Sequence, residues 1–273
     1  MLRSLPSLKE TITKYDLMAK KSLGQNFLLD QNITDKIVRS SLDKQGLKDF
    51  SQDNVTEIGP GPGGLTRAIL KAKPKHLSVI EMDNRCIKIM NELKEHTDTP
   101  FEIINQDALK TPITEGHIVS NLPYNISVPL LIGWIKNINR YKSLTLMFQK
   151  EVAERIVSET NSKDYGRISI LSQLTCKIDK LFDISPECFT PAPKIWSTVL
   201  LFRPLDKQPS ESQINKIENL TAQAFGQRRK MIRQSLKSVP NLEDICLKLN
   251  INLTDRAENL SPSQFLSLVD NIR

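Results

Sequence analysis

Short runs rich in β-branched and aromatic residues alternate with helical patterns, and this alternation constrains the fold more than any other feature of the chain. The strand-like runs are Asn54–Ile58, His76–Glu81, Phe101–Gln106, His117–Asn121 and Leu144–Phe148. Helical patterns fall between them at Leu65–Lys71 and Arg85–His96, and another follows at Gln149–Glu159, where Val152, Ile156 and Glu159 mark successive turns. Strands separated by helix-length segments pair in parallel, with the helices covering the sheet. After Tyr165-Gly166-Arg167 a helix is predicted to about Cys176, and Lys177–Phe182 with Thr198–Phe202 predict a closing hairpin. Between those last two runs, Ser185–Lys194 carries Pro186, Pro191 and Pro193 and reads as a loop.

The texture changes at Arg203–Ser210, where two prolines and polar residues suggest a linker. Beyond it the patterns are helical only: Glu211–Leu236, Asn241–Leu249 and Ser263–Ile272, the last with Pro262 in its first turn. The expected organisation is an N-terminal extension (1–20), an α/β domain (21–205) and a small all-helical domain (206–273). No apolar run approaches the roughly 20 residues of a membrane helix. The N-terminal Met1–Lys9 lacks the apolar core of a secretory signal. Its Leu/Arg/Ser flavour hints weakly at a transit peptide, but Glu10 follows closely, and the segment reads as a cytoplasmic extension. Cys86, Cys176, Cys188 and Cys246 form no Cys-x-x-Cys pair, and His76, His96 and His117 have no ligand spacing. A reduced, metal-free protein is expected.

Glu57-Ile-Gly59-Pro-Gly61-Pro-Gly63-Gly64 follows a strand and opens a helix. Glycine there lets the backbone turn sharply and approach a ligand with no Cβ in the way. Taken alone the pattern is weak: an NAD enzyme, a methyltransferase or a plain tight turn each produce it. Glu81 stands 22 positions beyond Gly59, at the end of the second strand, where a carboxylate can accept both hydroxyl protons of a ribose. An isolated Glu there would be a solvated strand end; joined to the glycine turn it points to a nucleoside. Asp107, after the third strand, is placed to bond an adenine amino group or to cap a helix.

Asn121-Leu122-Pro123-Tyr124, after the fourth strand, decides the chemistry. An aryl amine such as adenine N6 is a poor nucleophile because its lone pair is delocalised into the ring. Hydrogen bonds from its two protons to the Asn121 amide oxygen and the Leu122 carbonyl would draw the nitrogen toward a tetrahedral geometry. Pro123 stiffens the loop, and Tyr124 offers a flat face for an extruded base. The bland alternative is a turn after a buried strand. Phe189 is either a second clamp on that base or a core aromatic anchoring its loop.

Taken together, these residues resemble the ribosomal RNA adenine dimethyltransferases. The likeness includes Lys21-Ser-Leu-Gly-Gln25-Asn26-Phe-Leu28, the glycine turn, Ile80-Glu81-Met-Asp83, Gln106-Asp107-Ala, Asn121-Leu-Pro-Tyr124-Asn-Ile-Ser and Gln149-Lys-Glu-Val-Ala-Glu-Arg. It continues through Tyr165-Gly-Arg-Ile-Ser, Phe189-Thr-Pro-Ala-Pro-Lys194 and Phe225-Gly-Gln-Arg-Arg-Lys. The resemblance implies a Rossmann-like class I methyltransferase sheet with a closing hairpin and a helical C-terminal domain. It implies S-adenosylmethionine held by Asn26, Leu28, Gly59, Glu81 at the ribose, Asp107 at the adenine and Asn121 near the methyl donor, with S-adenosylhomocysteine released. It assigns the target-base stack to Tyr124 and Phe189. The implied product is N6,N6-dimethyladenosine on two neighbouring adenines near the 3′ end of small-subunit rRNA, made on an immature subunit by a cytoplasmic monomer. One departure stands out: Trp196 occupies a position where that family often has Asp.

The net charge is +7 and the pI about 9.2, which suits a polyanionic partner. A helix over Phe225–Val239 would carry Phe225, Ile232, Leu236 and Val239 on one stripe. Arg229, Arg233 and Lys237 would form a row beside it, with Arg228 and Lys230 nearby. Such a row tracks phosphates; a solvated basic helix is the plain alternative. The rival functions are a large-subunit methyltransferase of the antibiotic-resistance type, an NAD-dependent oxidoreductase, and a non-catalytic RNA-binding factor of the same fold.

Overall fold

A computed structural model of the chain describes residues 5–20, 24–113 and 115–272. Residues 1–4 of the expected extension and Lys21–Leu23 of the first family motif lie outside the described residues. In chain order the first elements are α1 (Leu8–Lys14), β1 (Phe27–Leu28), α2 (Gln31–Gln45), β2 (Asn54–Ile58), α3 (Gly64–Lys71), β3 (His76–Ile80) and α4 (Asn84–Glu95). Next come β4 (Phe101–Ile104), β5 (Gly116–Asn121), α5 (Tyr124–Ile135), β6 (Tyr141–Gln149), α6 (Lys150–Val157) and α7 (Arg167–Thr175). The remainder are β7 (Cys176–Ile184), β8 (Phe189–Thr190), β9 (Ser197–Pro204), α8 (Glu211–Gly226), α9 (Ile232–Ser235), α10 (Leu242–Lys248) and α11 (Pro262–Asn271).

Seven strands form one sheet in the order β4-β3-β2-β5-β6-β9-β7. The first five run parallel, with Ile58 opposite Ile80 and Asn121 opposite Met147, and β9 runs antiparallel to β6. Val55–Ile58, Leu77–Ile80 and Gly116–Ser120 are buried along their lengths, as strands covered on both faces must be. The strand order reverses direction of growth between β2 and β5, the place where open α/β sheets bind ligands beyond their strand ends. The expected Rossmann-like sheet and its closing pair, β7 beside β9, are both present.

The proline-rich stretch is not wholly loop. Phe189–Thr190 pairs antiparallel with Phe27–Leu28, with Leu28 opposite Phe189. Leu28 is 5% and Phe189 3% exposed, so the short ladder forms where two apolar side chains enter the core together.

The chain divides into two compact units. One takes in the described residues through Leu131, with Asn139–Lys150 and Asp179–Arg203; the other takes in Ile132–Ile138, Glu151–Ile178 and the chain from Pro204 on. The expected boundary at 206 thus differs from the packing, which groups α7 with the C-terminal helices. Tyr165, Ile170 and Leu171 share a core with Ile217, Leu220 and Phe265, and the Tyr165 hydroxyl donates to the Leu260 carbonyl at 2.8 Å.

The expected continuous helix over 211–236 is broken. α8 stops at Gly226, a poor helix former, and only Ile232–Ser235 resumes as α9. Between them the backbone turns to other partners: Met231 bridges Arg256, and the Ile232 N–H donates to the Asp255 carbonyl at 2.7 Å. These bonds and the complete burial of Ile232 and Leu236 replace the helical ladder.

Candidate active site

The ends of β2, β3 and β5 open on a cavity of about 280 Å³ lined by the N-terminal segment 24–28, the glycine turn and the loop after β5. Gly59 has φ +64°, a backbone state that side chains with a Cβ resist, and its N–H donates to the Ile80 carbonyl at 2.9 Å. At Gly64 an added Cβ would lie 2.7 Å from the Leu28 carbonyl oxygen. The turn therefore passes under the N-terminal segment with no room for a side chain, which keeps the cavity floor low.

Two carboxyls sit in this floor. Glu81 is 7% exposed, and its Oε1 accepts from the Met82 and Asp83 N–H groups, each at 2.8 Å. Burial pushes its pKa up, and these backbone bonds, with one from Gly61, pull the other way. Glu57 is 2% exposed, and its Oε2 accepts no hydrogen bond. Burial, aggravated by the Glu81 charge, pushes Glu57 up to about 8 against a pull from Thr66. Of the two acids Glu81 is better equipped to carry charge, and Glu57 holds the proton. Beside them Asp83 caps α4 and is drawn down to about 2, chiefly by the Arg85 guanidinium. Asp83 also accepts from Gln25 Nε2 at 3.1 Å, tying the N-terminal segment to the end of β3.

Asn121 Nδ2 donates to the Asn26 carbonyl at 3.3 Å. That bond fixes which way the amide faces and leaves Oδ1 as an acceptor with no partner among the described residues. The Leu122 side chain is 1% exposed and anchors the loop from below. Tyr124 opens α5, and its hydroxyl is 2.7 Å from Ser197 Oγ, which holds the ring by its far end. Burial raises the phenol pKa, keeping the hydroxyl neutral. Asp107 lines the cavity while its Oδ1 accepts the Leu109 N–H at 3.0 Å, so it caps a turn with one oxygen and presents the other.

The structure brings Asn26, Leu28, Gly59, Glu81, Asp107, Asn121, Leu122 and Tyr124 to one cavity. It does not bring Phe189 to the lining. That ring is packed in the core behind Leu28, because a phenyl group in the register of β1 gains more from burial than from water. Sequence reasoning missed Glu57, Gln25 and Ser197 as site residues. A carboxylate next to last in β2, just before the glycine turn, is a signal for Glu57, whereas nothing local marks Ser197 as a partner for Tyr124.

The basic row is also revised. Without a continuous helix, Arg229, Arg233 and Lys237 do not share one helix face. Arg228 is an internal tie: its Nε meets Glu258 Oε2 at 2.8 Å and its Nη2 donates to the Lys163 carbonyl at 2.5 Å. Arg229, Lys230, Arg233 and Lys237 are exposed.

Residues 17–273 match the family described as ribosomal RNA adenine dimethylase. The chain is 40% identical to the ribosomal RNA small subunit methyltransferase A of Rhodospirillum rubrum over 97% of this chain and 91% of the relative. It is 43% identical to the protein of the same name from Agrobacterium fabrum over 97% of each. Among solved structures, a dimethyladenosine transferase from Plasmodium falciparum superposes with a TM-score of 0.72 at 28% identity, covering 87% of this chain and 94% of that one. The 23S rRNA methyltransferase ErmE shares the fold, with a TM-score of 0.67 at 21% identity over 90% of this chain and 99% of that one. With residues 17–273 matched by the family model and nearly the full length of the chain aligned with named relatives at 40% identity or more, this protein belongs to the ribosomal RNA adenine dimethylase family.

Proposed function

We propose that the chain dimethylates the N6 amino groups of two adjacent adenines near the 3′ end of small-subunit rRNA, on an immature subunit. The observation that carries this reading is the Asn121 amide, whose nitrogen is bound to the Asn26 carbonyl so that its oxygen is left to accept. The cavity suits S-adenosylmethionine, because the buried, unpartnered Glu57 Oε2 offers a carboxyl oxygen in a site entered by a ligand that carries a sulfonium and an ammonium group. When bound, that cofactor supplies an electrophilic methyl group on a positively charged sulfur. Glu81 accepts from the ribose hydroxyls, Asp107 from the adenine amino group, and Asn26, Leu28 and Gly59 shape the floor and wall.

Tyr124 stacks on the extruded target base. The base's amino protons donate to Asn121 Oδ1 and the Leu122 carbonyl, releasing the nitrogen lone pair from the ring. With the cofactor bound, Asn121 and Leu122 would aim that lone pair at its methyl carbon, and transfer would leave the carbon–sulfur electron pair on sulfur, as S-adenosylhomocysteine. The nitrogen, now cationic and acidic, loses its proton to water, so no side chain serves as general base. Phe189 supports Leu28 from the core side and does not clamp the base. Arg229, Lys230, Arg233 and Lys237 contact phosphates individually, and Arg228 braces their segment. The reading places the protein in the cytoplasm, as a monomer.

The test is transfer of labelled methyl groups to small ribosomal subunits lacking the modification, followed by nucleoside analysis. Dimethyladenosine in small-subunit rRNA is expected. Transfer to large subunits alone, or cofactor binding with no transfer to either subunit, would refute it.

A further inference from the structure

We propose that Trp196 is a second stacking platform, which receives the base beside the extruded adenine. Only two tryptophans occur in the chain, and they differ sharply: Trp134 is 6% exposed, Trp196 48%. A single exposed aromatic is ordinary on a protein surface; its position here is the argument. β9 runs antiparallel to β6, so its first residues lie at the edge where β5 and β6 end, which is the edge carrying the cavity. Trp196 directly precedes β9. Its carbonyl accepts the Lys150 N–H at 2.8 Å, extending the β6–β9 pairing by one bond and fixing the backbone beneath the indole. The next residue, Ser197, is the one whose Oγ meets the Tyr124 hydroxyl at 2.7 Å.

The indole is therefore one residue from the group that holds the target-stacking ring. Pro191 and Pro193 restrict the approach to it, so little loop entropy is lost on binding. Lys194 is exposed and pairs with no acid among the described residues, leaving a positive charge two positions from the ring. Extruding one adenine removes a stacking partner from its neighbour. An exposed indole on a proline-stiffened loop, two positions from Lys194, replaces that partner, whatever the base, because every base has a flat face.

This inference rests on the adenine-methylation reading, and the experiment separates the two. Wild type, Trp196→Ala and Trp196→Phe are compared for methyl transfer to unmodified small subunits and for cofactor affinity. Trp196→Ala is expected to raise KM for the subunit roughly 5- to 150-fold, the range for loss of one stacked base, with kcat and cofactor Kd little changed. Trp196→Phe should recover most of the loss. In a separate arm, a short unpaired adenine-rich RNA should quench the exposed tryptophan fluorescence of wild type but not of Trp196→Phe. An active wild type with unchanged KM in Trp196→Ala, or equal quenching in both proteins, would overturn the stacking role while leaving the reaction intact. A wild type that binds cofactor and quenches with RNA but transfers no methyl would remove the methylation reading instead.

Discussion

Replacing Glu57 by Gln isolates the most unusual group in the cavity. In the folded chain Glu57 is 2% exposed and holds its proton to about pH 8, against an ordinary value of 4.5. An unfolded chain releases that proton above pH 4.5. The folded state therefore has its full contribution from this group below the ordinary value and loses it as pH rises toward about 8. At ~1.4 kcal/mol per pH unit, the loss by pH 7 amounts to roughly 3 kcal/mol, an upper bound because a relaxing cavity admits water. Glutamine does not titrate, so the cofactor-free variant should gain on wild type between pH 5 and pH 8, by up to about that amount. Urea unfolding of both proteins across that range measures the difference, and parallel profiles would refute the assignment of the proton to Glu57. The same substitution removes a carboxyl that can ionise beside a cationic ligand. Affinity for S-adenosylmethionine should fall, and the proton that wild type releases on binding, seen by calorimetry in buffers of different ionisation enthalpy, should disappear.

Substitutions at four further positions test the remaining assignments. Asn121→Ala removes one of two acceptors for the target amine and should lower kcat on the order of 10²- to 10³-fold, as loss of a preorganised polar group does, while cofactor affinity changes far less; equal losses would contradict its role. Phe189→Ala should destabilise the fold by roughly 3–5 kcal/mol, with Phe189→Leu restoring most of the stability and the activity; a Leu variant that is stable yet inactive would show that the ring touches the base. Arg228→Ala should lower the melting temperature and leave the salt dependence of rRNA binding nearly unchanged, whereas Lys237→Ala should reduce the slope of log affinity against log salt by somewhat less than one; a reversal of these two patterns would return Arg228 to the phosphate contacts.

Much of the sheet was legible in the chain because its strands are buried on both faces and separated by amphipathic helices, so local pattern and tertiary role agree. The same holds for Gly59, Glu81 and Asn121: each stands at a strand end, and strand ends converge by topology. What local pattern misjudged were segments whose backbone partners lie far along the chain. Phe225–Val239 has helical periodicity, yet its middle bonds to residues 253–256, and a helix cannot survive when its N–H groups have partners elsewhere. Arg228 looked like one charge in a row until Glu258 and the Lys163 carbonyl were placed beside it. Local pattern leaves Phe189 open to two roles and the family resemblance favours the base stack, whereas pairing opposite Leu28, distant in sequence, buries the ring to 3% exposure. Sequence by itself thus determined the layered sheet and the chemistry at its strand ends, through periodicity and spacing. Tertiary structure alone decided which side chains remain free to act, because burial, carbonyl partners and counter-charges come from residues that no local window contains.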